Sequence, residues 1–71
     1  MARTPNLFDV VALTEDTPDN GLVAGQVGTV VDIFDATHVL VEFSNDEGEP
    51  YALAALPTSR LLVLHYEPVA A

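Results

Sequence analysis

The chain has 71 residues, with two arginines, no lysine and eleven acidic residues, which gives a formal net charge of −9. So few cations exclude the basic surface with which proteins bind the phosphates of nucleic acids. Because cysteine is absent, disulfides, thiolate metal sites and thiol nucleophiles are excluded as well. The 49% of hydrophobic residues is enough for a core and excludes a disordered acidic tail.

The chain is short enough to form one small domain, for which we expect a folded core over residues 8–65 and short flexible ends. No apolar run approaches the ~18 residues of a membrane span. The first residues lack the hydrophobic stretch of a secretory signal. We therefore expect a cytoplasmic protein that does not contact the membrane.

Two predicted strands in the first half of the chain are separated by a long polar connection. Residues 8–13 and 26–34 are rich in β-branched residues, which favours strands. The connection, residues 14–25, contains the turn-forming pair Asn20-Gly21. Gly28 lies inside the second strand and indicates a bulge, or a bend at which a Cβ would collide with a crossing strand.

The second half of the chain predicts three further strands joined by short turns. The third strand alternates strictly, so Val39, Val41 and Phe43 share one face, and His38, Leu40 and Glu42 the other. In chain order, the predicted elements are a turn at 35–37, a strand at 38–44, a hairpin turn at 45–48, a strand at 49–55, a helical turn at 56–59 and a strand at 60–64.

No segment of helical length shows the apolar periodicity of an amphipathic helix. Five short strands, a long first connection, a bent second strand and one helical turn are typical of a closed barrel. Closure is also favourable because it removes most of the open edge of a flat sheet. The sequence thus predicts an all-β fold, a small five-stranded SH3-like barrel with one short helical turn before the last strand.

Alternation along the strands divides the large apolar residues into two groups. We expect a core of Val11, Leu13, Val27, Val30, Val39, Val41, Phe43, Leu53, Leu56 and Leu62. Seven others fall on alternate positions or at strand ends: Phe8, Val10, Phe34, Leu40, Leu61, Val63 and Tyr66. Exposed apolar patches of a few hundred Å² commonly mark interfaces, so this second group predicts a contact surface.

The segment from Leu22 to Val31 resembles the Gly-x-x-Gly-x-Val turn and strand of KOW-type and other SH3-like barrels. More broadly, residues 9–64 are similar to an uncharacterised family of short bacterial proteins, classed as a domain of unknown function. The resemblance implies an SH3-like fold and a bacterial or phage origin, but no catalytic residues. It is carried by Asp9-Val10-Val11-Ala12-Leu13, Gly25-Gln26-Val27-Gly28-Thr29-Val30-Val31, Val41-Glu42-Phe43, Gly48, Tyr51-Ala52-Leu53 and Leu61-Leu62.

The polar residues do not form the pattern of a catalytic or metal site. His38 and His65 are the only histidines, and a third ligand is not evident. The acidic segment 46–49 lacks the spacing of a calcium loop. Acidic residues in the loop at 15–20 could attract the arginines of a proline-rich ligand, but the chain has no tryptophan for the aromatic shelf. We predict no enzyme activity, no metal and no cofactor.

The function that these features favour is a non-catalytic protein–protein interaction module. It would act as a homo-oligomer, an accessory subunit or an antitoxin-like or immunity-like partner. An apolar contact would be joined to a negative field that attracts a basic partner and repels nucleic acid. The candidate interface residues are Val10, Phe34, Leu40, Asp16, Asp46, Glu47 and Glu49.

Two alternatives from other classes stay open at this point. The KOW-like turn suggests a nucleic-acid or ribosome-associated module by fold analogy alone, against which the charge argues. The second alternative is a small subunit of an enzyme complex, whose catalytic chain would be a separate protein.

Overall fold

The computed structural model describes residues 5–65, which form five strands and two short 3-10 turns. The all-β prediction is confirmed, and the third strand has the predicted bounds. Of the predicted flexible ends at 1–7 and 66–71, residues 1–4 and 66–71 lie outside the described residues, as does the predicted outward Tyr66, whereas Pro5 is described and buried. The elements are β1 (Val10–Leu13), a first 3-10 turn (Pro18–Asn20), β2 (Val27–Ile33), β3 (His38–Ser44), β4 (Pro50–Pro57), a second 3-10 turn (Thr58–Arg60) and β5 (Leu61–Val63).

All neighbouring strands are antiparallel, and the sheet has the order β4-β3-β2-β1-β5. The predicted closure into a barrel is wrong for residues 5–65, since β4 and β5 are each paired on one edge only. The second 3-10 turn carries the chain away from β4 and onto β1, where all three residues of β5 pair. Pro57 also ends β4 without a backbone N–H to offer a further strand.

The sheet is nevertheless strongly curled. Pro57 pairs with His38 at one end of the sheet, whereas Leu61 pairs with Leu13 at the other end. The four peptide steps between Pro57 and Leu61 span at most ~15 Å. In a flat sheet the four strand spacings alone would separate β4 from β5 by ~19 Å. The short link therefore requires the sheet to bend over one of its faces.

That concave face holds the core, which receives residues from every strand. The buried hydrophobic residues are Val11, Leu13, Leu22, Val30, Val39, Val41, Phe43, Ala54, Leu56 and Leu61. Leu22 comes from the long connection, where Thr17 and Leu22 form an isolated bridge. A single sheet can bury this cluster because its curl and the connection replace a second layer.

Three predicted core residues lie on the opposite face: the side chains of Val27, Leu53 and Leu62 are 44%, 59% and 56% exposed. Leu13 and Leu61 pair across strands and share the inner face, so Leu61 is only 6% exposed and Leu62 points outward. The predicted outward positions of Leu61 and of Val63, which packs on the core, are therefore wrong.

Val27 and Leu53 were predicted to be core residues because the sequence suggested strand irregularities at positions where the structure has none. β4 continues through Pro57, so the buried Ala54 and Leu56 have the same parity, and Leu53, which directly precedes Ala54, must point outward. In β2 the register shifts between Val30 and Asp32 and not at Gly28. The strand is therefore regular from Val27 to Val30, and Gly28 and Val30 are its buried positions. Val27 is thus on the outer face.

Gly28 lies in a close approach of two strands, but the neighbour is the paired strand β3 and not a crossing strand. A Cβ at this position would lie 2.6 Å from Val41 Cγ1 and 2.8 Å from the Glu42 carbonyl oxygen. Both atoms belong to β3, the strand that pairs with β2 at this point. The absence of a side chain therefore allows the two strands to pack tightly at this pair.

Candidate protein-binding surface

The outer face is the side of the sheet that points away from the core, and its apolar residues are Val10, Val27, Leu40, Leu53 and Leu62. Each of them alternates with buried residues of its own strand, which places its side chain outward. Val27, Leu53 and Leu62 are exposed, and Val10 and Leu40 are half-buried. Among the predicted interface residues, Val10 and Leu40 belong to this face.

The outer face contains a continuous apolar line across three strands. Leu62 of β5 pairs with Ala12 of β1, and Ala12 pairs on its other side with Val27 of β2. Directly opposed residues in antiparallel strands have Cβ atoms ~5 Å apart, close enough for side chains to contact. The exposed Leu62 and Val27 therefore lie on either side of the half-buried Ala12, in one apolar row across the outer face.

A second line crosses the other half of the sheet and contains a carboxylate. Glu42 of β3 pairs with Thr29 of β2 on one side and with Leu53 of β4 on the other. Glu42 is half-buried and alternates with the buried Val41 and Phe43, which directs its side chain outward. Within residues 5–65, its carboxylate has neither a hydrogen bond nor an ion pair.

The remaining predicted interface residues lie in loops and not on the outer face. Asp16 belongs to the long connection, where its Oδ1 accepts a hydrogen bond from the Ala24 N–H at 2.9 Å. Asp46, Glu47 and Glu49 belong to the β3–β4 hairpin. Phe34 is exposed beyond the end of β2, at the opposite end of the sheet from these acidic residues.

The β3–β4 hairpin is built around one asparagine. Asn45 Oδ1 accepts hydrogen bonds from the Glu47 and Glu49 N–H groups, both at 2.9 Å. Gly48 has a φ of +81°, a conformation that glycine adopts without steric cost. The turn therefore follows the sequence prediction, and it presents Asp46 and Glu47 to solvent at its tip.

The long connection leaves the same end of the sheet as this hairpin. The two are joined by the hydrogen bond that Gln26 Nε2 donates to Tyr51 Oη at 2.9 Å. The acidic residues of both loops are thus gathered at one end: Glu15, Asp16, Asp19, Asp46, Glu47 and Glu49. Arg60, the one arginine among residues 5–65, lies near them, with its Nε 3.4 Å from Glu15 Oε2.

A small polar network closes the turn between β2 and β3. Asp35 Oδ1 accepts hydrogen bonds from the Thr37 hydroxyl, the Thr37 N–H and the His38 N–H, at 2.7 to 2.9 Å. The hydroxyl bond contributes most to lowering the pKa of Asp35 below its ordinary value of 3.8. Because the Thr37 hydroxyl donates to Asp35, it accepts from His38 Nδ1, 2.9 Å away. The network orders the turn through Asp35 Oδ1.

Between residues 5 and 65, no three histidine, aspartate or glutamate side chains form a group that could hold a metal ion. No helix in the same part of the chain has the length and hydropathy that a membrane crossing requires.

Sequence reasoning assigned three residues of this surface to the core, namely Val27, Leu53 and Leu62, and placed Glu42 outward without naming it as an interface residue. Their signal is the strict two-residue period. Once Val41 and Phe43 are inward, Glu42 and its cross-strand neighbours must be outward. The missing information was the register, which decides which residues are neighbours.

Comparison of the whole chain with curated proteins gave no match, and comparison with solved structures gave none either. A family model described as a domain of unknown function, DUF4926, matches residues 7–63. The predicted resemblance to an uncharacterised domain family is thereby confirmed, whereas the KOW-like turn and bacterial origin stay predictions. Since the match covers well over half of its residues, the chain belongs to the DUF4926 family of domains of unknown function.

Proposed function

We propose that this protein is a non-catalytic protein-binding module that docks a basic partner protein on the outer face of its sheet. The observation that carries the proposal is the pairing of Leu62, Ala12 and Val27 across three strands, with two exposed side chains in one apolar line. Contiguous exposed apolar surface is characteristic of interaction sites.

The net charge indicates which kind of partner fits. The chain carries a formal charge of −9. Such a field accelerates association with a basic surface and disfavours contact between two copies of the same chain. A basic partner protein is therefore favoured over self-association. Accessory-subunit and antitoxin-like roles both belong to this class.

An SH3-like arrangement is the finer fold assignment that we propose. The strand order β4-β3-β2-β1-β5, the long connection after β1, the curled sheet and the 3-10 turn before β5 all support it. In such a fold the loops at one end and the outer face are the surfaces free for binding. Function does not follow from the fold itself, so the proposal depends on the surface chemistry.

The experiment is site-specific photo-crosslinking in the native cell. A photoreactive residue replaces Leu62 or Leu53, and Ser59, exposed in the second 3-10 turn, provides the matched control position. We expect one protein to crosslink from positions 62 and 53 but not from position 59. The purified pair should then bind more weakly as salt increases from 50 to 500 mM, because screening removes the electrostatic attraction.

Three results would contradict the proposal. Crosslinks only between copies of this chain, together with a dimer in light scattering, would show self-association instead. Equal crosslinking from position 59 would show that the outer face is not the contact surface. Binding of RNA by the isolated protein at physiological salt would favour a nucleic-acid module.

A further inference from the structure

Glu42 is a carboxylate of the outer face that has apolar neighbours on β3 and on β4. Leu53 pairs with it on β4, Leu40 precedes it by two residues on the same face of β3, and Val10 lies beyond Thr29. Any partner that covers Leu53 and Leu40 therefore also covers Glu42. Its half-buried side chain has already lost part of its contact with water.

Covering this carboxylate with apolar surface would be strongly unfavourable. A buried charge is tolerated only when it is paired and hydrogen-bonded. Neither ion pair among residues 5–65 includes Glu42, since His38 lies beside Asp35 and Arg60 beside Glu15. Since no cation among residues 5–65 pairs with Glu42, the basic partner of the proposed function is the source that we assign to the compensating charge.

We infer that Glu42 receives an arginine side chain of the partner protein, inserted between apolar contacts to Leu40 and Leu53. The inference rests on the proposed function. Arginine is favoured over lysine because its guanidinium is more weakly hydrated and bonds a carboxylate through two parallel N–H groups. Thr29, which pairs with Glu42 on the neighbouring strand, adds a hydroxyl acceptor to the same face.

Glu42 would then contribute specificity more than general attraction. The acidic residues of the loops lie at one end of the sheet and are exposed, so they act through a diffuse, salt-screened field. Glu42 acts at short range in a partly desolvated site, where a cation is required and a neutral residue is rejected.

The experiment uses a library of random twelve-residue peptides, selected in parallel against the wild-type protein, Glu42→Gln and Glu47→Gln. The two variants lose the same charge, but Glu47 lies at the exposed hairpin tip, away from the outer face. The peptide that binds the wild-type protein most strongly is then synthesised unchanged and with one arginine replaced by citrulline, each arginine being replaced in turn. Citrulline keeps the shape of arginine without its charge. Calorimetry measures how strongly the unchanged peptide and its citrulline versions bind to each of the three proteins.

We expect peptides with an arginine between apolar residues from the wild type and from Glu47→Gln, but not from Glu42→Gln. Citrulline at that arginine should weaken binding to the wild type about tenfold and should not weaken binding to Glu42→Gln further, since the pair is already broken. The amide resonances of residues 40, 42 and 53 should shift in the nuclear magnetic resonance spectrum of the complex.

Equal loss of affinity in Glu42→Gln and Glu47→Gln, or an equal citrulline effect in the wild type and Glu42→Gln, would overturn the inference. So would the absence of any arginine-dependent peptide from the wild-type selection. These outcomes are distinct from failure of the proposed function. If position 53 crosslinks to a partner whose affinity is the same for Glu42→Gln, the outer face binds protein and the arginine site is wrong.

Discussion

Gln26 and Tyr51 are 25 positions apart in the chain and share a 2.9 Å hydrogen bond from Gln26 Nε2 to Tyr51 Oη. The same glutamine accepts a 2.6 Å hydrogen bond from the Val23 N–H through Oε1. One side chain thus holds the end of the long connection and attaches it to β4, the strand at the edge of the sheet. Tyr51 also lies beside the buried ring of Phe43, with ring centroids 6.4 Å apart.

Removing this bond should destabilise the fold measurably. We expect Tyr51→Phe to lower the free energy of unfolding by about 1 kcal/mol, because the ring contact with Phe43 remains and only the hydroxyl is lost. Gln26→Ala should lower it further, since the Val23 N–H loses its acceptor as well. Urea unfolding of both single variants and the double variant gives the coupling energy. Strictly additive effects would show that the two side chains do not interact.

Gly28→Ala tests the close approach of β2 and β3. Its Cβ would lie within 3 Å of a carbonyl oxygen of β3, which cannot move without disturbing the strand pairing. We expect a loss of about 3 kcal/mol in the free energy of unfolding. Gly48→Ala is the matched comparison: its φ is +81° but nothing lies within 4 Å of the added atom, so the expected loss is about 1 kcal/mol. The reverse order of midpoints in urea would contradict this account.

Leu61 and Leu62 are adjacent leucines on opposite faces of β5. Leu61→Ala removes a buried side chain and should lower the free energy of unfolding by about 3 kcal/mol. Leu62→Ala truncates an exposed side chain, for which we expect a change below about 0.5 kcal/mol. Chemical denaturation separates these outcomes. A larger effect at position 62 would mean that the register between β1 and β5 is shifted by one residue.

The network around Asp35 makes one contribution to stability dependent on pH. Because the folded pKa of Asp35 is lowered below 3.8, mainly by the Thr37 hydroxyl, its contribution is present above the unfolded value and is lost as pH falls through the folded pKa. Thr37→Val should therefore be less stable than the wild type at neutral pH, and the difference should shrink in the acid range. Unfolding measured from pH 2 to 7 gives the difference between the two proteins.

The carboxyl resonance of Asp35 offers a direct check on the same network. Its titration midpoint should rise toward 3.8 in Thr37→Val and stay at the wild-type position in Thr14→Val, at the other end of the sheet. An unchanged midpoint in Thr37→Val would show that the hydroxyl bond is not the main cause.

Much of the fold could be predicted from local patterns. The alternation of Val39, Val41 and Phe43 placed β3 correctly, and Asn45 with Gly48 predicted the hairpin, because a turn depends only on its own residues. The short strands were harder. β5 has three residues, and alternation alone cannot say whether Leu61 or Leu62 is inward until the pairing with Leu13 is known.

Of the candidate surface, the sequence predicted Val10 and Leu40 but assigned three exposed neighbours to the core. Those assignments required a bulge at Gly28 and a helical turn at residue 56. The bulges lie elsewhere, between Val30 and Asp32 in β2 and between Phe43 and Ser44 at the β3–β4 pair. A displaced bulge or turn reverses the face of the residues around it, which exchanged core for surface at Val27 and Leu53, whereas Leu62 depended on the pairing of β5 with β1.

By itself, the sequence determined the all-β class, the turn between β3 and β4, the negative charge and the absence of thiol chemistry, since these depend on residue type and short-range spacing. Only the tertiary structure decided that Glu42 lies beside Leu53 and that Leu62 extends an apolar line to Val27. Cross-strand neighbours are distant in sequence. Their identity depends on register, which results from the packing of all five strands around one core.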